Sequence, residues 1–276
     1  MEKTLKGQLN QFGVKLKKAY GQNFLTDCEL LNNIVVQSGV TKNDVVLEIG
    51  CGAGALTSVL SNYAKKVVGY EIDTTLKPVL NEKLKDNKNV EIVFGDIMKF
   101  SLEDIENKLG EDYIMVANLP YYITTPIVMR FLENSKKIKG MVIMVQEEVA
   151  DRFCSKESTR DYGAITVAIN LRGSAKKIIK VGREMFTPPP NVDSAVVKID
   201  IDRNKNQGVD LTKVRDVVKV SFSSRRKMLV NNLMNFYKLS RVEAEEVLTS
   251  ANLPLTVRGE QLSAEDYIRL SRAIKK

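Results

Sequence analysis

Val45-Val-Leu-Glu-Ile-Gly-Cys-Gly-Ala-Gly54 is the stretch on which the fold turns. A short apolar run ends in a glycine cluster, and residues 55–60 follow at helical spacing, so strand, turn and helix come in order. The same alternation continues outward. Residues 67–70, 90–94, 113–117 and 141–145 are four further β-rich runs, separated by segments long enough for helices such as 74–86 and 126–132. Strands alternating with helices imply a largely parallel sheet covered on both faces. Two later runs, 165–171 and 195–201, fit strands flanking the prolines at 188–190 and finish the sheet in antiparallel fashion.

The polar, glycine-ended segment 202–208 marks a boundary. Beyond it, 211–237, 240–251 and 263–274 read as helices. The second and third open on Ser240 and Ser263, with Glu243 and Asp266 three residues on, the spacing of a capping box. The chain therefore divides into a sheet domain, 1–203, and a small helical domain, 204–276.

A length of 276 residues is enough for one full core and a small second domain. No stretch approaches the roughly 20 apolar residues that span a bilayer, and the N-terminal segment carries no apolar signal run, so a cytoplasmic, membrane-free protein is expected. The three cysteines, Cys28, Cys51 and Cys154, are odd in number and widely spaced. They read as reduced thiols, and no metal is assigned. There is no histidine, which excludes Ser-His-Asp and Cys-His catalysis and histidine-ligated metals. The formal net charge is +8, and residues 211–276 hold 13 Lys and Arg against 7 Asp and Glu. A polyanionic partner accounts for that bias through counterion release, and simple solubility is the alternative.

The glycines after residue 49 let backbone pass close to a ligand. Gly50, Gly52 and Ala55 also satisfy a loose GxGxxG/A fingerprint, and Glu71 lies 21 residues beyond Gly50, placed to accept hydrogen bonds from ribose hydroxyls. That pattern fits NAD and S-adenosylmethionine equally. Asp96 closes the next run, either as an acceptor for the adenine amine of such a cofactor or as a helix cap. Asn118-Leu-Pro-Tyr121 follows the fourth run and so falls at the same sheet edge. Asn118 Oδ1 and the Leu119 carbonyl can each accept an N–H from a planar exocyclic amine, aiming its nitrogen at an activated methyl group. Pro120 stiffens the loop, and Tyr121 offers a ring for an extruded base. An ordinary strand-to-helix turn would use the same four residues, and it is their place after the glycine loop and two acids that favours methylation.

Taken together these segments resemble the KsgA (RsmA) family of small-subunit ribosomal RNA adenine N6,N6-dimethyltransferases along nearly the whole chain. The shared markers run in order as Gly21-Gln-Asn-Phe-Leu25, Glu48-Ile-Gly-Cys-Gly-Ala-Gly54, Glu71, Gly95-Asp96, Asn118-Leu-Pro-Tyr121 and Gln146-Glu-Glu-Val-Ala-Asp-Arg-Phe153. Phe186-Thr-Pro-Pro-Pro-Asn-Val-Asp-Ser194, Phe222-Ser-Ser-Arg-Arg-Lys-Met-Leu229 and Arg258-Gly-Glu-Gln-Leu262 complete the set. The resemblance implies an α/β Rossmann-like methyltransferase sheet with helices on both faces, plus a small all-α C-terminal domain. It implies S-adenosylmethionine as cofactor, contacted by Asn23, Leu25, Gly50, Glu71, Asp96 and Asn118, with Gly52 in the same loop. Phe186 would join Tyr121 in holding the flipped adenine. The implied target is a pair of adjacent adenines in the 3′-terminal hairpin of small-subunit ribosomal RNA, each methylated twice, and the implied partner is the immature small subunit.

Two positions depart from the pattern: Cys51 stands where the family often has proline, and Gly259 where proline or alanine is expected. Cys51 reads as a small residue in a glycine turn. Arg225, Arg226 and Lys227 fall on successive positions of the helix 211–237 and point in different directions, so at most two face one phosphate groove and the third is solvated. Lys15, Lys17 and Lys18 form a second cluster, and both are expected to flank the active-site mouth as RNA contacts. A monomer is expected, with no apolar stripe left over. The competing readings are an Erm-type methylase of large-subunit RNA, a ribosome-assembly factor that only binds, and an NAD oxidoreductase for which no hydride-transfer partner is found.

Overall fold

Every residue of Val45–Ile49 is buried, as a strand must be when both faces of its sheet are covered. The computed structural model describes residues 5–14 and 22–274. It opens with α1 (Leu5–Gln11), β1 (Phe24–Leu25) and α2 (Cys28–Ser38), and then alternates through β2 (Val45–Ile49), α3 (Ala55–Tyr63), β3 (Lys66–Glu71), α4 (Lys77–Lys83), β4 (Val90–Phe94), α5 (Leu102–Leu109), β5 (Tyr113–Asn118), α6 (Thr124–Asn134) and β6 (Ile138–Gln146). Next come α7 (Glu147–Phe153), α8 (Ala164–Arg172), β7 (Gly173–Val181), β8 (Phe186–Thr187) and β9 (Ser194–Ile201), and the helices α9 (Leu211–Phe222), α10 (Leu229–Tyr237), α11 (Arg241–Ser250) and α12 (Ala264–Ala273).

Seven strands form one sheet in the order β4-β3-β2-β5-β6-β9-β7. The pairs β2–β3, β3–β4, β2–β5 and β5–β6 are parallel, and β9 runs antiparallel to β6. From β2 the chain winds outward first through β3 and β4, then restarts at β5 on the other side. The strand order reverses between β2 and β5, and the crevice that such a reversal opens at the carboxyl ends of the strands is where ligands bind in doubly wound sheets. Gly50 and Asn118 sit at that point. A separate two-stranded ribbon pairs β1 with β8, Leu25 opposite Phe186.

By internal contacts the chain splits into two compact units, residues 1–150 with 176–201, and residues 151–175 with 202–276. The first holds the sheet. The second is helical around Tyr162, Val167 and Leu171 together with Val214, Val217, Leu229, Leu233, Leu248, Tyr267 and Leu270. These units differ from a division at residue 203 in one segment: 151–175 belongs with the helices, because α8 contributes apolar side chains to their core.

That segment also corrects a strand assignment. Residues 165–171 form α8, not a strand. Ile165, Thr166, Val167, Ile169 and Leu171 are all buried, and a short run buried on most sides shows neither period clearly. The Thr166 hydroxyl accepts from Gly163 N at 3.2 Å and donates to the Arg152 carbonyl at 2.6 Å, starting the helix. The strand follows immediately as β7. The expected long helix 211–237 is two helices, α9 and α10. Ser223 ends the first with its hydroxyl on the Val220 carbonyl, and the buried Asn232 amide takes the Ser221 carbonyl. Arg225, Arg226 and Lys227 therefore lie in a turn, not on a helix face. The serine caps hold: Ser240 accepts from Glu243 N and Ser263 from Asp266 N, both in capping boxes.

Candidate active site

The glycine loop is shaped by what stands next to it. Gly50 and Gly52 have φ of 80° and 55°, in the left-handed region that favours glycine. A Cβ on Gly52 would come within 3.0 Å of the Phe24 ring, and one on Gly50 would meet the Asn118 carbonyl at 3.5 Å. The loop is thus pressed between β1 and the end of β5, and its bare backbone forms one wall of a cleft. Counting the space continuous with solvent, the cleft encloses about 950 Å³ and is lined by Asn23, Leu25, Glu48, Gly50, Gly52, Glu71, Ile72 and the run Asn118–Tyr121, among others.

Three acids reach this edge from neighbouring strands. Glu71 ends β3 and is 4% exposed. Its Oε2 accepts from Gly52 N and its Oε1 from Asp73 N, each at 2.8 Å. Burial raises its carboxyl above the usual range against those two hydrogen bonds. Each oxygen retains a second lone pair for a ligand hydroxyl. Glu48, within β2, is 1% exposed, and its Oε2 has no hydrogen-bond partner among the described residues. Burial pushes the Glu48 carboxyl up to about 8, with the nearby Thr57 hydroxyl opposing the rise and the Glu71 charge adding to it. The third acid, Asp96, caps the turn Ile97–Lys99 through an Oδ1 bond from Met98 N at 3.0 Å. It stands half-buried just beyond β4 and is absent from the residues that line the cleft.

Asn118 ends β5 with its Nδ2 donating to the Asn23 carbonyl at 3.3 Å. An amide that commits its donor to Asn23 directs its acceptor oxygen the other way. Leu119 is 1% exposed and anchors the loop, while the Pro120 carbonyl accepts from Ile123 N and from the Thr124 hydroxyl, both at 3.1 Å. The Tyr121 hydroxyl lies 2.9 Å from Ser194 Oγ, and burial raises the phenol. Ring and loop are held from both ends.

The structure therefore brings Asn23, Leu25, Gly50, Gly52, Glu71 and Asn118–Tyr121 to one cleft. Phe186 is not among them. It is 2% exposed and lies in one apolar cluster with Leu25, Leu31 and Val181, of which Leu25 and Leu31 line the cleft. Register explains this: pairing opposite Leu25 turns the Phe186 side chain inward with its partner. Cys51 is buried, and burial pushes its thiol well up, which agrees with a small, unreactive turn residue. Lys15, Lys17 and Lys18 lie outside the described residues. Of the second basic cluster, Arg226 and Lys227 are exposed, whereas Arg225 Nε bonds Glu260 Oε2 at 2.6 Å and its Nη2 bonds the Thr159 carbonyl. The third charge is ion-paired, not solvated. Reading the sequence passed over Glu48 and Ile72 as site residues. An acid inside an all-apolar strand was the available signal for the first, and the second carries none.

The chain matches the family described as ribosomal RNA adenine dimethylase over residues 13–276. It belongs to that family. Similar curated proteins include ribosomal RNA small subunit methyltransferase A of Bacillus licheniformis, 40% identical over 97% of this chain and 94% of the relative, and that of Bacillus pumilus, 40% identical with the same coverage. Among solved structures, the fold is shared with a dimethyladenosine transferase from Plasmodium falciparum at a TM-score of 0.77, with 24% identity over 90% of this chain and 95% of that one. The 23S rRNA methyltransferase ErmE superposes at 0.69, with 28% identity over 92% of this chain and all of the other. As a member of the dimethylase family the chain is an enzyme of ribosomal RNA adenine methylation with a Rossmann-like methyltransferase sheet, and the NAD oxidoreductase reading falls away. Among the described residues no group of acids or cysteines could hold a metal ion, and no helix is long and apolar enough to cross a membrane.

Proposed function

We propose that this protein transfers methyl groups from S-adenosylmethionine to the N6 amines of two adjacent adenines in the 3′-terminal hairpin of small-subunit ribosomal RNA, acting on the immature subunit in the cytoplasm. The observation that carries the reading is that Asn118–Tyr121, Glu48 and Glu71 line one cleft. The curated relatives named for the small subunit, at 40% identity, support that target over the large subunit.

The residues present fit the cofactor. S-adenosylmethionine supplies an activated methyl on a sulfonium and carries a cationic ammonium beside it. The buried Glu48 Oε2 without a partner is an acceptor suited to a cation, since an isolated buried carboxyl is stabilised most by an opposite charge. Glu71 takes ribose hydroxyls, Asn23 and Leu25 close the wall, and Gly50 and Gly52 allow backbone approach. Asp96, with Oδ1 on its cap, has Oδ2 for the adenine amine.

Asn118 Oδ1 and the Leu119 carbonyl accept the two N6–H bonds of the target base. Holding both hydrogens aims the nitrogen lone pair into the cleft, which is positioning with little general acid or base chemistry. Pro120 keeps the turn stiff, and the Tyr121 ring, fixed by Ser194, stacks on the base. Phe186 supports that surface from behind through Leu25. Arg226 and Lys227, with Lys15, Lys17 and Lys18, bind phosphates, while Arg225 holds its own turn in place.

Transfer of labelled methyl from S-adenosylmethionine to undermethylated small subunits and, in parallel, to large-subunit RNA tests the reading. Label in small-subunit dimethyladenine should fall roughly a hundredfold or more in Asn118→Ala, the scale of losing one transition-state hydrogen bond. Label on large-subunit RNA alone would assign the other target, and cofactor binding without transfer would leave an assembly factor.

A further inference from the structure

The turn after Asn118 carries two tyrosines, and the function proposed above uses one. Ile123 N closes on the Pro120 carbonyl at 3.1 Å, so Tyr121 and Tyr122 are the central pair of a four-residue turn. Successive positions of such a turn project differently. Tyr121 turns inward and its hydroxyl meets Ser194 Oγ at 2.9 Å. Tyr122 turns outward and is 61% exposed. Val192, two residues before Ser194, is 44% exposed. The hydrogen bond between Tyr121 and Ser194 thus ties the turn that exposes Tyr122 to the start of β9, just beyond the exposed Val192.

An adenine can reach Asn118 Oδ1 and the Leu119 carbonyl only after leaving its stack, and its extrusion strips one face from the neighbouring base. An exposed aromatic ring one residue from the cleft-lining Tyr121 can replace the lost stacking partner, with little dependence on which base it meets. Tyr122 has the ring, the exposure and a backbone position one residue from the base-holding tyrosine. We propose that Tyr122 is a substrate-binding residue that stacks on the unpaired nucleotide adjacent to the adenine being methylated. The inference rests on the reading of the protein as a methylase of small-subunit RNA. For two adjacent target adenines, that neighbour is itself the next substrate, so the same ring holds whichever adenine is waiting.

Tyr122→Ala and Tyr122→Phe would be assayed for single-turnover methyl transfer to undermethylated small subunits, with S-adenosylmethionine affinity measured separately by calorimetry. Tyr122→Ala should lose on the order of ten- to a hundredfold in kcat/KM for the subunit, with cofactor affinity unchanged, and Tyr122→Phe should stay within about twofold of wild type because the ring face and not the hydroxyl makes the contact. Wild-type kcat/KM in Tyr122→Ala would overturn the proposal. So would a loss in Tyr122→Phe equal to that in alanine, or a parallel loss of cofactor affinity, which would mean that Tyr122 shapes the cleft instead. Absence of transfer by the wild-type protein itself would overturn the functional reading, and the two failures are told apart by whether the parent is active.

Discussion

A carboxyl buried in β2 without a partner on one oxygen takes its protonation from whatever fills the cleft. Burial pushes the Glu48 carboxyl up to about 8 in the folded chain, from about 4.5 for an ordinary solvated carboxyl. The folded state therefore holds a proton that the unfolded chain releases between those values, and stability falls as pH rises from about 4.5 to 8, by an amount on the order of a few kcal/mol. Glu48→Gln should remove that slope and raise the melting temperature at pH 8 while leaving it nearly unchanged at pH 4.5. An unchanged slope in the variant would show that Glu48 is not the titrating group. A cationic ligand meeting this carboxyl drives the proton off. Binding of S-adenosylmethionine at pH 7 should then release close to one proton, read from calorimetry in buffers of different ionisation enthalpy. Glu48→Gln should bind more weakly and release none.

Between the elements of the helical unit, close approach replaces side-chain interlock at one point. The turn Gly259–Gln261 lies against the end of α9, where a Cβ on Gly259 would stand 2.8 Å from the Ser221 carbonyl. Hydroxyls fasten the same turn: Tyr267 donates to the Gly259 carbonyl and Tyr162 to the Leu262 carbonyl, both at 2.8 Å. Backbone cannot retreat from two such anchors, so Gly259→Ala should cost about 1–3 kcal/mol as an overpacked contact and lower the melting temperature without altering cofactor affinity. The departure from the expected proline or alanine thus has a local cause in this chain. It also gives Arg258-Gly-Glu-Gln-Leu262 a packing role, with Glu260 holding Arg225.

Across the whole molecule, the basic residues separate into those free to meet phosphate and those committed to the fold. Arg226→Ala and Lys227→Ala should each weaken RNA binding and lower the slope of log K against log salt by about 0.7–0.9, the value expected for one phosphate contact. Arg225→Ala should leave the slope unchanged and cost about 1 kcal/mol of stability, because its half-exposed pair with Glu260 is worth little more than that. Three equal slope changes would mean that Arg225 leaves Glu260 when RNA binds. The sequence places three cations in a row with no means of ranking them, since the carboxylate that claims one of them comes from 35 positions away.

Local signals in this chain were enough for the parallel sheet, the glycine loop, the acid closing β3, the tetrapeptide after β5 and the serine caps of α11 and α12. Each depends on period, on a turn residue or on a spacing of a few positions, and such information is carried by the chain itself. Tertiary structure alone decided the rest. α8 is a helix because it is wrapped by the helical core, which hides its period from a reading of hydrophobicity. Phe186 faces inward because β8 pairs with β1 across more than 150 residues. Glu48 keeps its proton because strands and helices close around it, and desolvation is a property of packing that no stretch of sequence contains.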